Sequence, residues 1–166
     1  MRTLGIDPGT AILGWGVVED DGSGGQRLVD YGVLTTPKNM ALAERLQILY
    51  AGLEALLIKY KPDCAGVEEL FFGKNVTTAL AVAHARGIIL LALAHANVPL
   101  EEHRPMAVKQ AMTGYGHADK KQMQEMVRMQ LGLDHIPKPD DAADALAIAI
   151  CQAHSTALRL RFRDQL

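Results

Sequence analysis

The chain has 166 residues, 49% of them hydrophobic and 22% charged, with a formal net charge of −2. That length suits one domain, and the composition excludes a wholly disordered chain. The longest apolar run, Gly87 to Ala94, falls well short of the ~20 residues of a membrane span, and MRTLGIDPG has no signal-peptide core. Cys64 and Cys151 match no disulfide framework or metal spacing, so both read as small core residues of a cytoplasmic protein.

Taken in chain order, Thr3 to Asp7, Ile12 to Glu19 and Arg27 to Thr35 read as three strands joined by the Pro8-Gly9 and Asp21 to Gly25 turns, an antiparallel meander. A helix from about Met40 to Tyr60 carries Leu42, Leu46, Leu49, Leu53, Leu56 and Leu57 as a core stripe and stops before Pro62. Cys64 to Glu69 reads as a short buried strand. Val76 to Ala96 reads as an alanine-rich helix whose small side chains admit a close neighbour, inside the domain or on a second subunit. Val98 to Glu102 is a strand candidate, and Pro105 to Thr113 a helix with proline in its first turn. Asp119 to Leu131 is a further helix, with a capping box from Asp119 and Gln122 and a stop at Gly132. The last helix starts after Pro139, and Arg159 to Arg163 belong to a basic tail, so residues 1–156 form the expected domain and 157–166 the tail. The class is α/β.

Charge is unevenly spread along the chain. Residues 1–73 hold 6 basic and 10 acidic residues (net −4), residues 74–138 hold 8 and 5 (net +3), and residues 139–166 hold 3 and 4 (net −1). Lys74, Arg86, Arg104, Lys109, Lys120, Lys121 and Arg128 in the basic middle are either a phosphate-facing patch or an ordinary solvated surface.

Four carboxylates stand at the ends of separate elements: Asp7 in LGIDPGT, Glu68 in AGVEELFF, and Asp141 and Asp144 in PKPDDAADALAIAI. Each alone has a plain account. Asp before Pro-Gly forms turns, glutamates end strands in solvent, and Asp140 or Asp141 caps a helix. Capping does not account for Asp144, which lies within an otherwise apolar helix on the face of Asp141. Like charges gathered in one spot repel unless a cation joins them, so convergence of the four suggests a site for hard divalent metals. Two such ions about 4 Å apart serve phosphodiester hydrolysis, and the lack of a Cys/His cluster favours Mg²⁺.

With GIDPGT around Asp7, Glu68 followed by Phe71 and Lys74-Asn75, His84-Ala85-Arg86-Gly87, Val108-Lys109-Gln110, and Asp141-Ala-Ala-Asp144-Ala-Leu-Ala-Ile-Ala, nearly the whole chain resembles the RuvC Holliday-junction resolvases. The resemblance implies a ribonuclease H-like fold, with a mixed central sheet flanked by helices, and a homodimer that makes paired, metal-dependent nicks in four-way DNA junctions. It implies Asp7, Glu68, Asp141 and Asp144 as ligands of two Mg²⁺ ions, which Mn²⁺ replaces. Lys109 and Lys120 take the basic positions near the scissile phosphate, with Lys121 as the rival of Lys120. Phe71, with Phe72 as its rival, contacts bases at the crossover, and Lys74 and Arg86 join the DNA-binding set. RuvA and RuvB are the implied branch-migration partners. Asp140 departs from the pattern as an extra carboxylate.

Two other readings compete. GIDPGT also resembles the phosphate loop of actin-like sugar kinases and chaperone ATPases, which need two such domains where this chain has room for one. A non-catalytic module that binds branched DNA is the other, and four acidic groups are a liability for it, since excess negative charge opposes DNA binding without metal.

Overall fold

The computed structural model describes residues 1–69 and 76–163. Strands β1 (Arg2–Asp7), β2 (Ile12–Asp20) and β3 (Gln26–Thr35) form the expected meander, with Asp7 opposite Gly14 and Ile12 opposite Thr35. The turn between β2 and β3 folds around Asp21, whose carboxylate accepts the backbone N–H groups of Ser23 at 2.8 Å and Gly25 at 3.0 Å. There follow α1 (Leu42–Tyr60), β4 (Cys64–Glu68), α2 (Val76–His95), β5 (Leu100–His103), α3 (Pro105–Thr113), α4 (Lys120–Gln130) and α5 (Asp140–Arg163). β4 pairs parallel with β1, and β5 parallel with β4, giving one sheet in the order β3-β2-β1-β4-β5. No described helix is long and apolar enough to cross a membrane.

Two expectations shift. Leu42 lies 41% exposed, because the first turn of α1 precedes the stretch in which Leu49, Leu53, Leu56 and Leu57 reach the core. β5 begins at Leu100, not Val98, because the Val98 N–H donates to the Leu93 carbonyl and closes the end of α2. α5 continues through Arg163, and Arg159 forms an ion pair with Glu101 of β5.

Period-two alternation divides the sheet into two unlike faces. Leu4, Ile6, Leu13, Trp15, Val17, Ala65 and Val67 pack with Leu49 and Leu53 of α1 and Ile89 and Leu93 of α2. Full burial of each such leucine or isoleucine contributes about 1.5–3 kcal/mol. The opposite face carries Gly5, Gly14, Gly16 and Gly66, and α5 crosses it so closely that a Cβ on Gly5 would meet the Ala145 carbonyl oxygen at 2.1 Å. Ala142, Ala145 and Ala149 are the buried small residues of the helix there. α3 and α4 then close over α5 through Val108, Met112, Met123, Val127 and Leu131.

Candidate active site

The alternation that buries Leu4 and Ile6 turns Thr3, Gly5 and Asp7 toward α5, and the same rule in β4 turns Cys64, Gly66 and Glu68 that way. β1 and β4 run parallel with Ile6 opposite Val67, so each brings a carboxylate to the same end of the sheet. α5 supplies the others. Gly14, the cross-strand partner of Asp7, lies against the Asp141 backbone, and Asp144 follows one turn later on the face of Asp141.

The electrostatics record this convergence. Burial first, then the charges of Glu68, Asp144 and Asp141, push the Asp7 carboxyl up to about 8. Burial and Asp144 also raise Glu68, while Lys109 opposes the shift. Burial raises Asp144 against the pull of Lys120. A group of carboxylates that resists full ionisation is short of positive charge.

Two lysines supply part of it. The Asp119 carboxylate accepts the Gln122 N–H at 2.8 Å while the Gln122 side chain accepts the Asp119 N–H at 2.9 Å, a capping box that fixes the first turn of α4. Lys120, the first residue of that helix, thereby reaches Asp144 at 3.3 Å and Asp140 at 3.4 Å. Burial lowers the Lys120 ammonium, but Asp144 and Asp140 outweigh it and hold the group above its ordinary value. Lys109 reaches the site from α3. A cleft of about 230 Å³ is lined by Glu68, Lys109, Lys120 and Asp144, with Val108, Met123 and Ile148 among its apolar walls.

Among the described residues, no three Asp, Glu, His or Cys side chains stand close enough together to grip an ion as they are. Lys120 rests on Asp144 at 3.3 Å. The donor set nevertheless fits a hard divalent ion, being wholly oxygen, and the raised Asp7 and Glu68 are groups whose ionised forms an added cation would stabilise.

Residues 3–152 match the model of the family described as Crossover junction endodeoxyribonuclease RuvC. The chain belongs to the RuvC family. It is 64% identical to the RuvC of Chloroflexus aggregans over 98% of both chains, and 57% identical to that of Roseiflexus sp. over 98% of this chain and 96% of the relative. Among solved structures it is similar to Thermus thermophilus RuvC in complex with a Holliday junction substrate, with a TM-score of 0.90, 39% identity and coverage of 95% and 96%. The yeast mitochondrial Holliday junction resolvase Ydc2 shares the ribonuclease H-like fold at 14% identity, with a TM-score of 0.70 over 98% of this chain and 83% of the other. The fold expected from the RuvC resemblance is the fold found.

Of the basic residues expected on the RuvC substrate face, Lys109 and Lys120 line the cleft. Lys121 lines a separate groove with Tyr115, Gln122, Glu125 and Met126. The arginines of the basic middle are engaged within the fold: Arg86 pairs with Glu102, Arg104 with Glu69 at 2.9 Å, and Arg128 with Glu125 at 2.6 Å. Phe71, Phe72 and Lys74 lie outside the described residues.

Three features of the site escaped the sequence reading. Asp140 does not merely add charge: its carboxylate accepts Lys138 at 2.7 Å and faces Lys120, and Lys138 first, then the Gln124 amide and Lys120, hold it down to about 2. His103, directly opposite Glu68 in the sheet, bonds through Nε2 to Gln152 Oε1 at 2.6 Å, and Gln152 donates to Thr156 at 2.9 Å. Behind Asp7, the spacing of Gly5, Gly14 and Gly16 opposite an alanine-rich helix was a readable sign of close helix-on-sheet contact.

Proposed function

We propose that this protein is a homodimeric, Mg²⁺-dependent Holliday-junction resolvase that makes paired symmetrical nicks in four-way DNA junctions during recombination and repair. Family membership supplies the activity, crossover junction endodeoxyribonuclease. The observation that carries the metal chemistry is Asp7, buried beside Glu68, Asp141 and Asp144 and pushed up to about 8 by burial and by those charges. Divalent ions held there, two per site in this reading, would supply an activated water and offset charge at the scissile phosphate, and hydrolysis would leave a 5′-phosphate and a 3′-hydroxyl.

The chain's own residues divide the remaining work. Asp7, Glu68, Asp141 and Asp144 would hold the ions. Lys109 and Lys120 bind phosphate oxygens as point charges and stabilise the charge that builds during in-line attack. Phe71 or Phe72 contacts bases at the crossover, and Lys74, Arg86 and Lys121 extend the contact with DNA. Arg86 would do so only by sharing or leaving Glu102.

Support for the dimer comes from α2. Leu80 is 54% and Leu91 45% exposed, three turns apart on one side of the helix, and Gly87 between them has open space where a Cβ would project. An isologous pair about that face presents two identical sites to a substrate with approximate two-fold symmetry. RuvA and RuvB are the proposed partners, and the cytoplasm is the proposed location.

The test is incubation with a synthetic four-way junction, a matched linear duplex and Mg²⁺ or Mn²⁺, with Asp7→Asn as control. Paired nicks in the junction alone, absent from the control, are the expected result. Equal cutting of the duplex would indicate a general nuclease, and binding without nicking a branched-DNA module.

A further inference from the structure

Lys120, which lines the cleft, meets a carboxylate that is not one of the four converging ones. Asp140 and Asp144 stand four residues apart on one face of α5, and the Lys120 ammonium lies between them, 3.4 Å from Asp140 Oδ2 and 3.3 Å from Asp144 Oδ2. With Asp144 engaged by a metal ion, its hold on Lys120 would weaken. Asp140 is then the carboxylate left to orient the lysine.

We propose that Asp140 is a positioning residue, which keeps the Lys120 ammonium at the mouth of the cleft, beside the scissile phosphate, while the other carboxylates are engaged with metal. The inference rests on the nuclease reading above. Three observations carry it.

First, Asp140 divides its two oxygens between two lysines. Oδ1 accepts Lys138 at 2.7 Å from the preceding loop, while Oδ2 faces Lys120 on α4. The loop contact fixes the carboxylate so that its free edge aims at one place. Second, Gln124, one turn beyond Lys120 on α4, is 7% exposed, and its side-chain nitrogen has no hydrogen-bond partner among the described residues. A buried amide left in that state costs free energy unless it serves the group beside it. Third, Lys120 starts a helix, where the macrodipole repels a cation, so without a carboxylate its long side chain has reason to turn away into solvent.

A carboxylate at a DNA-facing cleft is otherwise a defect. Removing it should favour the polyanion, tightening binding and, through binding alone, speeding the reaction. The proposal predicts the opposite sign for the chemical step.

The experiment compares wild type, Asp140→Ala, Asp140→Glu, Lys120→Ala and the double variant, with single-turnover nicking of a four-way junction in Mg²⁺, junction affinity, and Mn²⁺ binding by calorimetry. Asp140→Ala should lower the single-turnover rate about tenfold, part of the roughly 10²–10³-fold effect of deleting a charge-stabilising donor outright. Junction affinity should stay equal or tighten, Mn²⁺ affinity and stoichiometry should not change, and Asp140→Glu should recover most of the rate. In the Lys120→Ala background the same substitution should have no further effect, since the two residues act as one unit.

Multiplying rate effects in the double variant would overturn the proposal, as would an Asp140→Ala rate equal to wild type. Loss of Mn²⁺ affinity in Asp140→Ala would make the residue a metal ligand instead. A wild-type protein that nicks no junction would sink the nuclease reading, and this proposal with it.

Discussion

A Cβ on Gly14 would lie 2.0 Å from the carbonyl oxygen of Asp141, too close for any side chain to exist there. Gly14 is also the cross-strand partner of Asp7. One missing methyl group therefore sets how near the start of α5 comes to the end of β1, and with it the separation of two carboxylates. Gly14→Ala should push α5 off the sheet, costing about 1–3 kcal/mol through overpacking and about 100-fold in nicking through misplaced carboxylates. Thermal denaturation beside junction cleavage checks both. Gly5→Ala, against Ala145, should cost similar stability.

The raised Asp7 gives the metal-free protein a definite pH dependence. Its carboxyl goes from an ordinary 3.8 to about 8 on folding, so its contribution to stability is complete below about 4 and is lost as pH rises toward 8. Glu68 and Asp144 are raised too and act in the same direction. In a chelator, the melting temperature attributable to these groups should fall between about pH 4 and 8, and Asp7→Asn should flatten that fall. Added Mg²⁺ should stabilise the wild type more at pH 8 than at pH 6, since binding must displace fewer protons there. Calorimetric melts across this range, with and without metal, test the sign.

Asp7→Asn should abolish nicking while leaving junction binding largely intact. Gel-shift and cleavage assays on one preparation decide the matter. Loss of both together would count against a metal-ligand role.

The rivalry of Lys120 and Lys121 resolves by separate substitutions to alanine. Lys120 lines the cleft, and its loss should cut nicking about 10²–10³-fold. Lys121 faces another groove, so its loss should spare the chemical step and, where it meets phosphate, reduce the salt slope of junction binding by about 1. Rate and salt titration together separate the two roles.

Beneath Glu68, His103→Ala would leave the Gln152 carbonyl oxygen without its partner inside the fold. A loss of about 1–3 kcal/mol is expected for an unsatisfied buried group. Denaturant unfolding measures it.

Periodic and punctuating residues made most of the fold legible. The meander, the α3 boundaries from Pro105 and the capping box at Asp119 follow from local chemistry, and the structure places them where that chemistry puts them. Asp7, Glu68, Asp141 and Asp144 stood out because charge at the end of an apolar element needs a reason. Pairing was not legible. That Arg86 meets Glu102, or that Lys120 sits between Asp140 and Asp144, depends on which elements become neighbours, and no local rule fixes that. The shift of β5 has the same origin, since the Val98 N–H goes to the end of α2.

The three arginine pairs, Arg86 with Glu102, Arg104 with Glu69 and Arg128 with Glu125, bear on how the protein finds its target. Cations neutralised within the fold project little field beyond about 8–10 Å at physiological salt. With a net charge of −2, the molecule has weak long-range attraction for ordinary duplex, the competitor that surrounds any junction in a chromosome. Discrimination would then fall to close contact, where, in the proposed dimer, only a branched substrate could satisfy both halves, while little would draw the protein to straight DNA.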